Sequence, residues 1–436
     1  MTLKEHFSKN ITLAYPVVIG QLGHIMVSVA DTMMVGRVGV IPLAAATFAG
    51  VVIHVLMMFG IGVSYAMTPL VAATDATDQS KLMKLLQNGT ILNFVLSLML
   101  MAVALIASFF LMHFGQEEEV AISAKPYLII VAVSLVPLML FQTFRQYAEG
   151  KSDTFNPMVV SIVANLVNVG LNYVLIYGAL GFPELGLNGA AWATLISRIV
   201  MAIMMIWIIR KSMSGFRFDF EWAVVKRMIK IGVPSGMQYI FEVGAFATAA
   251  LMTGWISAEA LAAHQIAINL AAISFMCATG LAAASTVRIG NQMGLKDLPN
   301  LKMAGYTSFA TAAIFMSFSA LTFILFRDFL TGLYVKDEYV QSIASGLLVI
   351  AAAFQVSDGI QAVGLGVLRG LTDVKVPTLI TFVAYWLIAI PGGYLLGFTF
   401  GFGIDGIWYA LSGGLTVAAV LHITRFKKLT DKIHFN

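Results

Sequence analysis

The stretch from Leu13 to Gly36, LAYPVVIGQLGHIMVSVADTMMVG, decides how the chain is read. It offers the roughly 20 residues that a helix needs to cross a bilayer. Deep within it stands one carboxylate, Asp31, with no other Asp or Glu between Glu5 and Asp75. A charge at bilayer depth is costly, so it faces a protein interior or a water-filled cavity and marks a functional path. Gln21, His24, Ser28 and Asp31 follow one another at steps of 3, 4 and 3, which puts them on one helix face. The other faces are apolar, as in a membrane helix that lines a polar cavity. The competing reading is a polar stripe that glues helices together, which suits a Gln or Ser better than it suits Asp31.

Composition agrees. Hydrophobic residues make up 59% of the chain and charged residues 11%, with mean hydropathy +0.88, whereas soluble domains carry about a quarter charged residues. With short loops, 436 residues hold about twelve crossings of roughly 20 residues each. The apolar runs predict helices over residues 11–35, 43–74, 90–114, 126–148, 158–180, 187–210, 230–255, 260–285, 305–327, 343–368, 376–399 and 404–424. No cleavable signal is expected ahead of the first.

Orientation follows from the basic residues. With the N-terminus inside, 21 of the 26 Lys and Arg flank cytoplasmic helix ends, 4 (Arg37, Lys125, Arg327 and Lys336) lie outside, and Arg198 falls within the sixth helix. Both termini are therefore expected in the cytoplasm of a cell inner-membrane protein. The net charge of +4 reflects this topology, and no aromatics interleave with the bases as on a nucleic-acid surface. Cys277 is the single cysteine, so no intrachain disulfide or cysteine-rich metal site is available.

The chain also repeats itself. An offset of 218 carries Pro16, Gly36, Leu43, Ala44, Ala45, Gly62, Ala66 and Thr68 onto Pro234, Gly254, Leu261, Ala262, Ala263, Gly280, Ala284 and Thr286. Further on, 220 carries Gly150, Asp153 and Pro157 onto Gly370, Asp373 and Pro377, and 217 carries Gly186, Gly189 and Ala193 onto Gly403, Gly406 and Ala410. Six helices per half is an even number, so the repeats are parallel. The expected fold is an all-α membrane protein of twelve transmembrane helices in two parallel six-helix lobes, 1–212 and 230–436, around a central cavity. Residues 213–229 read as a cytoplasmic linker. It begins loosely at Ser212 to Gly215 and continues as an interfacial helix with Phe216, Phe218, Phe220 and Trp222 toward lipid. The acidic run Glu117 to Glu119 reads as a solvated outer turn.

Symmetry separates scaffold from chemistry. The matched residues are mostly those that permit bends and close packing, while the embedded acids are unmatched: Asp31 falls on Ala249, Glu242 on His24 and Asp358 on Leu138. Ser235, Gln238 and Glu242 share one face of helix 7, and Gln355, Asp358 and Gln361 one face of helix 10. Glu242 lies twelve residues beyond Lys230, about 18 Å in and near the midplane. Asp358 is at similar depth, and no Lys or Arg lies there in helices 7 to 12. Two such acids, if close, hold either a bridging cation or a proton between them. On helix 5, Ser161, Asn165, Asn168 and Asn172 form a ladder that reads either as a partner for Asp31 or as interhelical hydrogen bonding. His264, Gln265 and Asn269 on helix 8 leave the same two readings open, and His24 reads either as an interior histidine or as a proton site.

These residues carry a resemblance. Pro16 with Asp31 and Gly36, AAHQIAIN in helix 8, GVLRGLTD after helix 10 and the twofold six-helix repeat resemble the multidrug and toxic compound extrusion (MATE) family of the MOP superfamily, over nearly the whole chain. Glu242, Asp358 and LVNVGLNYVLIYG with Asn168 and Asn172 resemble its NorM-type branch. That pattern has a Tyr four residues before the helix 10 acid, where this chain has Phe354. The resemblance implies a monomeric antiporter, not an enzyme, that expels small organic, mostly cationic drugs against inward flow of Na+ or H+. It implies no cofactor beyond that coupling ion, which Glu242, Asp358 and Asp31 would bind. Gln21, His24, Asn165, Asn168, Asn172, Gln238, Gln265, Asn269, Phe354 and Gln361 would line the substrate path. The rival in the same superfamily is a lipid-linked oligosaccharide flippase, which would need cationic residues for pyrophosphate where this chain buries acids. A membrane-embedded enzyme is the other rival, and no HExxH, phosphate loop or Cys and His cluster supports it.

Overall fold

The computed structural model describes residues 1–113, 115–213 and 219–435, and among them there is no β-strand. Twelve helices are long and apolar enough to cross a membrane: α1 (Leu3–Gly36), α2 (Val40–Ala72), α3 (Gln79–His113), α4 (Glu118–Gly150), α5 (Phe155–Tyr177), α6 (Gly186–Ile209), α7 (Trp222–Ile256), α8 (Ala258–Gly294), α9 (Leu298–Gly332), α10 (Glu338–Gly370), α11 (Lys375–Thr399) and α12 (Gly403–Thr430). Every expected span is present, and several run on by one to three turns. Hydrophobic length sets how much of a helix crosses, whereas capping sets where it ends. The Asp78 side chain caps α3 by accepting from Lys81 N at 3.0 Å, Asp297 caps α9 through Asn300 N at 3.1 Å, and Asp337 caps α10 through Tyr339 N and Val340 N.

The linker expectation needs correcting. Trp222 already opens α7, so residues 222–229 extend the membrane helix instead of forming a separate interfacial one. Nothing between Trp222 and Pro234 breaks helical backbone. Phe220 and Trp222 are exposed, their rings 6.3 Å apart. Ser214, Gly215, Phe216 and Phe218 lie outside the described residues.

The chain forms two compact units, Ile19–Gly236 and Met1–Val18 with Met237–Asn436. They do not follow the chain-order division into 1–212 and 230–436. Each boundary falls two residues past a proline, Pro16 or Pro234, at the positions 18 and 236 that the 218-residue repeat superposes. Packing accounts for the exchange. In the C-terminal unit, a Cβ on Gly280 would stand 2.4 Å from Val18 Cγ2, so only glycine lets the start of α1 lie this close to α8. Buried Arg288 then fixes that segment, donating to the His6 carbonyl at 2.8 Å and to Asn10 Oδ1 at 2.5 Å. In the N-terminal unit, a Cβ on Gly62 would stand 2.6 Å from Gly236 Cα. Asn88 Oδ1 accepts from Glu221 N at 2.8 Å, and Lys84 pairs with Glu221 at 3.0 Å, holding the start of α7 against α3.

The repeat extends to backbone detail. Ser152 and Thr372, related by the 220 offset, both adopt left-handed φ, 66° and 60°, in the turns after α4 and α10. Thr68 Oγ1 donates to the side-chain Oε1 of Gln146 and lies 3.4 Å from that residue's carbonyl, and Thr286 Oγ1 donates to the carbonyl of the equivalent residue, Gly366, at 2.8 Å. Thr68 and Thr286 thus tie helices together at equivalent places in the two halves.

Candidate functional site

In the C-terminal unit, α7 brings Glu242 and α10 brings Asp358 into the interior, with 7% and 6% of their surfaces exposed. Neither forms an ion pair with a Lys or Arg among the described residues. The two carboxyls lie within electrostatic reach of each other. One turn along α10, Gln361 is fully buried with neither side-chain polar atom hydrogen-bonded within the unit. On the other side of Asp358, Gln355 Oε1 accepts from Ser274 Oγ on α8 at 3.0 Å, while its Nε2 is also unpartnered. Buried polar groups are nearly always hydrogen-bonded, so this concentration of unspent donors and acceptors around two acids sets the region apart from an ordinary helix interface.

Local sequence explains how α11 joins the site. Pro391 has no N–H to offer the carbonyl four residues back, and the turn ahead of it widens: over Val383–Ala389 the helix is π-type, with Ile390 N bonding Tyr385 O five residues earlier. Phe382 packs on Phe241 with ring centroids 5.1 Å apart, and Tyr385 on Phe246 at 5.9 Å. Trp386 Nε1 donates to the Phe241 carbonyl at 3.0 Å. This register sets Tyr385 level with Glu242. Its phenol is fully buried, lies beside the Glu242 carboxyl as a donor to it, and is within electrostatic reach of Asp358. Pattern reading along α11 did not single Tyr385 out, but depth counting could have. It lies ten residues past Lys375, about 15 Å along the helix, close to the depth of Glu242.

The other expected site residues of this unit have partners of their own. Gln238 Nε2 donates to Thr378 Oγ1 at 3.0 Å and to the Val374 carbonyl at 3.4 Å, and its Oε1 accepts from Arg369 at 3.4 Å, which ties α7 to the turn between α10 and α11. His264 is buried, with Nδ1 accepting from Trp408 Nε1 at 3.1 Å. Phe354 packs on the same indole at 5.8 Å. Gln265 and Asn269 are exposed and hydrogen-bonded to each other at 3.3 Å, on a different face of α8 from Ser274.

In the N-terminal unit the amide ladder meets Asp31. Asn172 Nδ2 donates to Asp31 Oδ1 and, at 3.2 Å, to Asn168 Oδ1; Asn168 in turn donates to Ser197 Oγ on α6 at 3.4 Å. Asn165 comes against α1 at Gly23, 3.2 Å from where a Cβ would stand. Ser161 instead returns its hydroxyl to the Pro157 carbonyl at 2.9 Å. Asp31 and Gln21 are half-buried, and His24 and Ser28 are exposed, so the stripe on α1 faces accessible space beside the ladder. Arg198, the one base within the sixth helix, donates to Ser134 Oγ at 2.6 Å and lies within electrostatic reach of Asp31 and Tyr127. Asp31 therefore has a cation in its neighbourhood, which the Glu242 and Asp358 pair lacks among the described residues.

Comparison with known proteins gives consistent matches. A family model described as MatE matches residues 16–174 and 234–395, one segment in each half of the repeat. Proteins named multidrug resistance protein MdtK from Yersinia pseudotuberculosis serotype O:1b (strain IP 31758) and from Yersinia enterocolitica serotype O:8 / biotype 1B (strain NCTC 13174 / 8081) are each 34% identical over 432 residues, covering 96% of this chain and 94% of theirs. Among solved structures, the eukaryotic MATE transporter AtDTX14 matches with TM-score 0.87 at 20% identity, over 99% of this chain and 98% of that one. A MATE protein in complex with MaD3S matches with TM-score 0.90 at 18% identity, over 98% and 96%. At those identities the structures speak for the fold.

Proposed function

This chain belongs to the MATE family, and from that premise we propose that it is a multidrug antiporter, exporting organic, mostly cationic compounds by alternating access while Na+ or H+ flows inward. It is a multi-pass membrane protein. The excess of basic residues at one set of helix ends supports placement in the cell inner membrane with both termini cytoplasmic.

The observation that carries the reading is the Glu242 and Asp358 pair, buried in one unit without an ion-paired base among the described residues. Two carboxylates in a low-dielectric interior repel, and a bound cation, a proton or a cationic drug relieves that repulsion. If ion and drug compete for it, each weakens the other, and this reciprocal coupling converts an inward ion gradient into outward drug movement. Asp31, hydrogen-bonded by Asn172 at the end of the amide ladder and with Arg198 in its neighbourhood, is a second acidic locus for a cation or proton. The lipid-linked oligosaccharide flippase reading is disfavoured, because pyrophosphate calls for bases at this depth and the pair is acidic.

Ethidium efflux from proteoliposomes, with the sodium gradient and the proton gradient imposed separately, tests the proposal. Accumulation against ethidium's own gradient under one of the two is expected. Transport indifferent to both gradients would overturn it.

A further inference from the structure

We propose that Tyr385 is a third arm of the Glu242 and Asp358 site, its phenol oxygen ligating a bound alkali cation and its hydroxyl turning to donate to Glu242 when no such cation is present. This rests on the coupling-site reading above.

Three independent features of α11 converge on the tyrosine. The π-type turn over Val383–Ala389, with Pro391 following it, sets the phase of this face apart from a regular α-helix, and such turns are enriched at functional sites. The contacts on either side lock the register. Phe382 on Phe241, Tyr385 on Phe246 and the Trp386 indole on the Phe241 carbonyl leave Tyr385 no level to occupy except that of Glu242. The hydroxyl is then fully buried, facing the Glu242 carboxyl as a donor and near Asp358. A buried phenol needs a partner, since leaving its hydrogen bond unmade costs about 1–3 kcal/mol, and Tyr385 finds that partner in the acid pair. Phenylalanine would fill the same volume without that penalty, so packing alone does not account for a tyrosine here.

The chemistry assigns the oxygen a role. Sodium favours several oxygen ligands, and two carboxyls offer a charged but small set; a phenol adds a neutral oxygen without adding repulsion. Gln361 Oε1, buried and unpartnered one turn from Asp358, stands as a fourth oxygen on the same lining. A proton needs only one carboxylate. Tyr385 therefore bears on the alkali cation and leaves the proton response to the acids.

The test uses the full-length protein in nanodiscs and ethidium affinity measured by fluorescence polarisation. Affinity is followed against sodium at fixed ionic strength and, separately, against pH. For Tyr385→Phe the expected result is a sodium midpoint at least tenfold higher, with the pH response within twofold of wild type. A purely structural role would shift both responses or neither. An unchanged sodium midpoint in Tyr385→Phe, or a wild-type protein that answers to protons alone, overturns the proposal. A wild-type protein indifferent to both ions instead defeats the coupling-site reading on which it rests. Should Tyr385→Phe fail to fold, 3-fluorotyrosine placed at position 385 keeps the hydroxyl, and its fluorine resonance should move as sodium is titrated. A resonance that does not move overturns the proposal equally.

Discussion

The side-chain amide of Asn172 on α5 donates to the carboxylate of Asp31 on α1, joining residues 141 positions apart. It connects the single acid of the first membrane helix to a ladder of amides, and through Asn168 to Ser197 on α6. An amide can satisfy a carboxylate without neutralising it, so the contact is compatible with the cation or proton that the proposed function assigns to Asp31.

Asp31→Asn should therefore leave the protein folded and normally expressed yet unable to export. The substitution keeps the shape and the capacity to accept from Asn172 while removing the charge. Drug resistance of cells expressing the variant, set against protein amount in the membrane, is the measurement. Normal resistance at normal expression would reduce Asp31 to a hydrogen-bonding residue of the scaffold.

Cysteines placed at Gly36 and Gly254, the ends of helices related by the 218-residue offset, should both react with an impermeant thiol reagent added outside intact cells, while a C-terminal tag should be protected. The test uses a Cys277→Ala background. An odd number of crossings per half, or inverted repeats, would put the two cysteines on opposite sides. Labelling of the tag from outside would reverse the topology that the basic residues imply.

His264 belongs to the structural class. Removing the acceptor for Trp408 Nε1 in His264→Ala leaves a buried indole N–H unpaired, a loss of about 1–3 kcal/mol of stability. Thermal unfolding in detergent should register it, with the sodium and pH dependence of drug binding as in wild type. A changed ion dependence at unchanged stability would assign His264 to the transport path instead.

Asp31, Glu242 and Asp358 were legible because acids are scarce in an apolar chain and their depth can be counted from the nearest bases. The repeat was legible because close packing leaves little choice at positions such as Gly62 and Gly280, where a Cβ would overlap a neighbouring helix. Helical spacing reports which residues share a face but not what the face meets. Gln238 and Gln265 therefore looked alike in the sequence, although one is tied to the turn after α10 and the other is exposed beside Asn269. The place of Tyr385 depends on a π-type turn and on contacts with Phe241 and Phe246, neither of which leaves a periodic trace. The division of α1 and α7 between units was hidden for a similar reason. It follows from where Arg288 and Asn88 reach, which a one-dimensional pattern does not carry.

That Glu242 and Asp358 act as one coupled ion site is tested most directly by drug affinity measured against sodium and against pH for wild type, Glu242→Gln, Asp358→Asn and the double variant, in nanodiscs at fixed ionic strength. Affinity in the wild type should fall as the coupling ion rises, each single substitution should flatten that dependence, and the double variant should lose much less than the sum of the two, because both remove the same site. Fully additive losses, or an ion dependence unaltered in both single variants, would contradict it.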